Sequence, residues 1–250
     1  MKRTDRAAGA LVIAGLLLIP SAAIADPTGQ ERPRHVRTVE EFEFAPGRPG
    51  MTVATYVPRT HPRRKPLPLI LALHYGGPVT PTIGRDFVEM LVLPALGGLG
   101  AVIIAPNCPG RGWTDPVSEG AVLKLVAAAR KKYVIDERRV AVTGFSMGAI
   151  GAYRLAARHP ELFTAAIPVS GMPSSTDLAS LRDVPLFVIH SDGDEVFPID
   201  QARPAFETLR RDHPDVTIEI VPGLSHYRTA DFVPALKKAS LWLKKKWKNP

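Results

Sequence analysis

A single cysteine, Cys108, stands among the 250 residues. One thiol closes no intramolecular disulfide, so the chain has to be held by its buried core. Several carriers of cofactor chemistry are missing as well. There is no His-Glu-x-x-His pattern for zinc, no phosphate loop ending in Gly-Lys-Ser/Thr, and no Gly-x-Gly-x-x-Gly opening a helix. The expected cofactor is therefore none, and no metal site is expected. Aromatic residues make up only 7% of the chain and do not alternate with its basic residues. Without that stacking platform, nucleic acid is not an expected partner. Acidic residues are the scarcer charge, 24 against 32 lysines and arginines, which gives a formal net charge of +8. Much of the excess sits near the end, at Lys237, Lys238, Lys244, Lys245, Lys246 and Lys248, where cations suit a helix C-terminus and need no binding partner.

The one long apolar run, residues 10–19, is too short to be a comfortable membrane span. It follows Lys2, Arg3 and Arg6 and precedes Ala23-Ile24-Ala25, a small-x-small cleavage site. Residues 1–25 thus read as a secretory signal peptide cut after Ala25, and the expected location is secreted or periplasmic. No cysteine follows the cut to take a lipid. Without these residues the formal charge falls to about +6. Residues 26–35, polar with two prolines, are expected as a loose leader, and residues 36–250 as one domain.

Within that domain the apolar runs number eight. Residues 36–44 and 51–57 read as a hairpin around a Pro/Gly turn. Residues 67–73, 101–105, 140–143, 163–169, 186–189 and 216–221 are short, continuously apolar and set between helical patterns. That alternation predicts an α/β fold with a mostly parallel sheet covered on both faces. Residues 87–96 have helical spacing, with Pro94 expected to break the helix. Residues 172–183 are the one insertion of note. They leave no room for a large lid, and the site is expected to be open.

The chemistry centres on Gly144-Phe145-Ser146-Met147-Gly148, between the apolar strand at 140–143 and a helical pattern at 149–158. A serine between two glycines at a strand-to-helix turn is a nucleophile elbow. Such a turn lifts the Ser146 hydroxyl above the sheet and aims the Met147 amide at the same point. Strand 67–73 ends in His74-Tyr75-Gly76-Gly77, whose backbone amides could supply the second oxyanion donor, Gly76 first and Tyr75 second. Trp113 and Tyr75 are candidate walls of a substrate pocket. Cys108, lacking a strand-turn-helix setting, reads as a structural thiol.

A serine hydroxyl needs an imidazole to take its proton, and that imidazole needs a carboxylate. Of the seven histidines, His35 and His61 lie early, His159 ends a helix, His74 and His190 close strands, and His213 precedes the last strand. His226, in the loop after that strand, remains. The cluster Asp192-Gly193-Asp194-Glu195, just past a buried strand, could supply the acid.

Taken together, His74-Tyr-Gly-Gly77, Ala105-Pro-Asn-Cys-Pro109 with Trp113, residues 136–148, residues 190–198 and residues 222–226 resemble the α/β-hydrolase-fold serine esterases. The similarity is strongest to the secreted polyhydroxybutyrate-depolymerase-like and feruloyl-esterase-like group, which includes predicted peptidases. The resemblance implies Ser146 as nucleophile, Asp194 as acid, four residues after His190 and four before Pro198, and His226 as base. It also implies an oxyanion hole from the amides of Met147 and of Gly76 or Tyr75. The implied substrate is a small-molecule or polysaccharide-linked carboxylic ester. A serine peptidase of the same fold and an inactive surface-binding module are the alternatives. Two positions depart from the family pattern, Tyr75 and Ser191, where glycines are usual.

Overall fold

The computed structural model describes residues 34–61 and 65–248. The expected signal peptide, residues 1–25, and most of the leader lie outside them. One sheet organises the rest. Its strands are β1 (His35–Phe42), β2 (Met51–Pro58), β3 (Leu67–Leu73), β4 (Val102–Pro106), β5 (Ile135–Phe145), β6 (Ala165–Val169), β7 (Leu186–Ser191) and β8 (Val216–Val221). They lie in the order β1-β2-β4-β3-β5-β6-β7-β8. The β1–β2 and β2–β4 pairings are antiparallel, and the remaining five are parallel. The eight-stranded, mostly parallel sheet expected from the apolar runs is therefore present.

Every residue of β3, β4, β6 and β7 is buried. Parallel strands covered on both faces have no solvent side, which is why these runs are apolar throughout instead of alternating. Leu69, Leu71 and Leu73 point to one face and Ile70 and Ala72 to the other. The first face is covered by α3 (Pro116–Lys132), α4 (Met147–Arg158) and α6 (Ile199–Asp212), through Leu125, Val126, Tyr153, Leu155, Phe206 and Leu209. The second is covered by α1 (Ile83–Phe87), α2 (Leu93–Leu96) and α7 (Val233–Lys246), through Phe87, Leu96, Leu236 and Leu243. Between β6 and β7 lies only the six-residue α5 (Ser175–Ser180). No large lid is built there. Edge strand β1 carries Arg37, Glu40 and Glu41 outward, a charged border that discourages pairing with another sheet.

Three local expectations need correction. Pro94 does not break its helix, because Val88–Val92 forms a π turn in which the Leu93 amide reaches back to the Val88 carbonyl. The widened turn leads into α2, where Pro94 sits in the first turn and needs no amide hydrogen. The leader is shorter than expected, because His35 already pairs with Pro58 and is buried. Trp113 is not a pocket wall. It is 2% exposed, packs within the core on the α3/α4 face, and donates its indole N–H to the His74 carbonyl at 2.8 Å. Its ring also meets His74 edge-on, with centroids 5.0 Å apart. A loop tryptophan looks functional from its position in the chain, but burying that much apolar surface stabilises the fold more than exposing it.

The connections diverge around β3 and β5. The chain leaves β3 by α1 and α2 toward β4 on one side, and leaves β5 by α4 toward β6 on the other. Such a switch point opens a crevice at the carboxyl ends of the strands. Trp113→Ala should lower the unfolding free energy by about 3–5 kcal/mol in urea denaturation; a variant as stable as the parent would contradict its place in the core.

Candidate active site

Four strand ends meet at that crevice. The turn after β5 is the tightest: Ser146 has φ 56° and ψ −116°, a conformation that side-chain-bearing residues rarely take. Its amide donates to the Val169 carbonyl at 2.9 Å, and its carbonyl accepts from Ala149 and Ile150 as α4 begins. A Cβ on Gly148 would overlap the Leu73 carbonyl, and one on Gly144 would overlap the Gly148 carbonyl. The two glycines let strand, turn and helix approach one another closely enough to hold the serine.

The loop after β7 supplies Asp194, 3% exposed. Its Oδ1 accepts from the amides of Val196 at 3.0 Å and Phe197 at 2.7 Å, which fixes the carboxylate before any imidazole is considered. Oδ2 lies 2.9 Å from His226 Nδ1. His226, 6% exposed and in the loop after β8, puts Nε2 2.9 Å from Ser146 Oγ. A carboxylate can only accept, so the proton sits on Nδ1. Nε2 is then a free lone pair facing the serine hydroxyl, which donates to it. Phe145 and Phe197 pack against the imidazole, with centroids 5.2 and 5.5 Å away.

Burial pushes the Asp194 carboxyl upward, but the hydrogen bond from His226 and the Phe197 amide outweigh it, leaving the group below its usual range. It stays an anion at neutral pH. His74 and His190 are both held below the usual imidazole value, chiefly by burial. His190 Nε2 lies 2.8 Å from the Phe197 carbonyl and braces the acid loop. Burial raises the Cys108 thiol, whose sulfur is 3.4 Å from Ser118 Oγ. It is a protonated packing group, as the sequence suggests.

The turn after β3, from which the sequence leads one to expect the second oxyanion donor, lies against the start of α4. Gly76 lies beside Met147, where a Cβ would stand 3.6 Å from the Met147 Cβ, an ordinary contact. Glycine is therefore not required at 76. It is required at Gly77, with φ 136°. Tyr75 is half-buried and packs edge-on to Phe87. His74, read from the sequence as a mere strand end, has a further task. Its Nδ1 sits 2.6 Å from the Tyr75 carbonyl, and its Nε2 accepts the Cys108 amide at 3.0 Å. Accepting on Nε2 leaves the proton on Nδ1, which donates to Tyr75. The Tyr75 carbonyl and the Gly76 amide belong to one rigid peptide unit. Pinning the first fixes the plane of the second.

The model of the dienelactone hydrolase family matches residues 111–239, just over half of the chain. The chain belongs to the dienelactone hydrolase family. The matched stretch includes Ser146, Asp194 and His226, and ends inside α7. Among individual relatives, Cutinase 2 of Thermobifida cellulosilytica is 36% identical over 94 residues, 37% of this chain and 35% of that protein. Probable feruloyl esterase C of Aspergillus flavus is 29% identical over 150 residues, 58% and 55% of the two chains. The chain spans between just over a quarter and just over half of the length of the curated relatives it matches. The solved structure of the Staphylococcus aureus fluorophosphonate-binding serine hydrolase FphF superposes with a TM-score of 0.69 at 13% identity, covering 84% of this chain and 99% of that one. At that identity the likeness concerns the fold, which is the α/β-hydrolase fold.

This dienelactone hydrolase family member also holds groups that sequence reasoning left without a role. Asp192 Oδ1 accepts the Gly223 amide at 2.6 Å, and Glu195 reaches Ser225 and His226. The acidic cluster was visible in the sequence, but not the division of labour within it. Because Asp194 is held below its unfolded value, its contribution to stability is complete above about pH 3.9 and is lost as pH falls through the folded value. In urea titrations the stability gap between the parent and Asp194→Asn should be constant from pH 5 to 7 and narrow below about pH 4. A gap unchanged at pH 3 would contradict the depressed carboxyl.

Proposed function

We propose that this protein is a serine hydrolase that cleaves carboxylic esters through an acyl-enzyme on Ser146. The observation that carries this reading is the continuous relay Asp194–His226–Ser146, with 2.9 Å at each imidazole nitrogen and the serine raised on a left-handed turn. In the first step His226 Nε2 takes the Ser146 proton while Oγ bonds to the ester carbonyl carbon. The carbonyl π pair moves onto oxygen. The Met147 amide and one from the Tyr75–Gly76 turn stabilise that charge, and Asp194 stabilises the imidazolium. Collapse restores the carbonyl, breaks the bond to the alcohol oxygen and hands it the proton from His226. Water then repeats the sequence on the acyl-enzyme, freeing the acid and Ser146.

Membership in the dienelactone hydrolase family supports this reading, as do relatives named cutinase and feruloyl esterase. With only α5 between β6 and β7, the mouth suits small esters or esters carried on a polysaccharide. Its rim includes Val196, 41% exposed, and Tyr227, 77% exposed, next in the chain to Glu195 and His226. Aryl and short aliphatic esters fit such a rim. The reaction takes place outside the cytoplasm, after release at Ala25.

Nitrophenyl esters should be turned over much faster than matched anilides; comparable rates would favour a peptidase, and no turnover of either an inactive binding module. Ser146→Ala should lower kcat by about a millionfold, the loss seen for triad serines in subtilisin. Asp194→Asn should lower it by about 10³- to 10⁴-fold, and Asp192→Asn far less. The reverse order would move the acid to Asp192. N-terminal sequencing of exported protein should begin at Asp26; protein retained in the cytoplasm with Met1 intact would contradict export.

A further inference from the structure

The loop that carries His226 follows β8, the edge strand of the sheet, and among the described residues no further strand flanks it on the outer side. Its placement depends on the neighbouring loop after β7. That loop sends three carboxylates across. Asp192 Oδ1 takes the Gly223 amide at 2.6 Å, and Asp194 takes the imidazole. Glu195 places Oε1 2.5 Å from Ser225 Oγ and Oε2 2.8 Å from the His226 backbone amide. Ser225 Oγ in turn accepts the Tyr227 amide at 3.3 Å. Residues 225, 226 and 227 are thus all tied, directly or through one hydroxyl, to a single side chain.

We propose that Glu195 is a positioning residue that sets the backbone of His226, so that its imidazole can reach Asp194 and Ser146 together. This rests on the reading of His226 as the general base. The two neighbouring acids divide the task. Asp194 holds the ring through Nδ1 and governs its rotation, whereas Glu195 holds the main chain from which the ring projects. The job needs a carboxylate, because both of its oxygens accept. Glutamine offers one accepting oxygen: with that oxygen on the His226 amide, its NH2 can meet Ser225 only as a donor, so the Ser225 proton must turn elsewhere and the tie becomes a neutral one. Hydrogen bonds in which the acceptor is ionised are also shorter and stronger than neutral ones. In agreement, the Ser225 hydroxyl and then the His226 amide hold the Glu195 carboxyl below its usual range. Serine, imidazole and carboxylate have to align within a few tenths of an ångström for proton transfer, so a small displacement of the His226 backbone reaches the chemistry directly. Glu195 itself touches neither substrate nor the reacting atoms.

The test compares Glu195→Ala, Glu195→Gln, Ser225→Ala and the Glu195→Ala/Ser225→Ala double variant with the parent, on a nitrophenyl ester. Proton NMR of the low-field His226 Nδ1–H signal is recorded alongside. Glu195→Ala should lower kcat by roughly 10- to 100-fold with KM within about twofold. Glu195→Gln should fall between it and the parent. The double variant should be no worse than Glu195→Ala alone, because the two groups act as one tie. The Nδ1–H signal should exchange faster with water in Glu195→Ala. Parent-like kcat together with an unchanged signal in both Glu195 variants would overturn the proposal, as would fully additive losses. If Glu195→Ala does not fold, Glu195→Gln and Ser225→Ala carry the same comparison. His226→Ala is the separate control. Parent-level activity there would remove the general-base reading, while the Nδ1–H signal, which needs no turnover, would still report on Glu195.

Discussion

Close approach of three backbone segments at the end of β5 is the constraint from which the rest of the site follows. The strand, the Ser146 turn and the start of α4 can be joined this tightly only because Gly144 and Gly148 carry no side chains. The left-handed conformation of Ser146 costs on the order of 1–3 kcal/mol. The surrounding sheet imposes it: the end of β5, Val140 to Phe145, is buried between β3 and β6, and the Ser146 amide is anchored to the Val169 carbonyl of β6. What the strain achieves is direction. It holds the Ser146 hydroxyl within reach of His226 and starts a helix directly after it.

The remaining groups reach that hydroxyl because parallel strands end on the same side. Loops after β3, β5, β7 and β8 share one edge, so residues 74–77, 146, 192–195 and 223–226 become neighbours despite their distance in the chain. Hydrogen bonds then fix what topology brings near. His74 fixes the plane of the Tyr75–Gly76 peptide, two backbone amides fix Asp194, and carboxylates from one loop hold the backbone and ring of His226. Each of these acts on an orientation. In the proposed reaction, charge separation would be met by dipoles and anions already in place, which need no rearrangement as it develops.

The sheet, Ser146 and His226 were legible in the sequence for physical reasons. Buried parallel strands must be apolar along their whole length, and a serine between two glycines at a strand end has few alternatives. His226 could be reached by elimination because loop position is readable from strand order. Asp194 was separated from Asp192 only by resemblance to a family, since local sequence does not say which carboxylate turns inward. The burial of Trp113 leaves no trace in the sequence, since a loop position gives no measure of burial. The accommodation of Pro94 is equally hidden, since a π turn cannot be read from spacing. Gly76 and Gly77 could not be told apart, as backbone angles leave no mark on a Gly-Gly pair. His74 and Glu195 lend their side chains to other residues' backbones, a service that no motif records.

Ser146, activated by His226, is the proposed nucleophile. The most direct measurement is stoichiometric reaction of the purified protein with a fluorophosphonate, followed by peptide mapping by mass spectrometry. One phosphonyl group per chain is expected, on Ser146, with labelling lost in Ser146→Ala and strongly slowed in His226→Ala. Label on any other residue, or undiminished labelling of the Ser146→Ala protein, would contradict it.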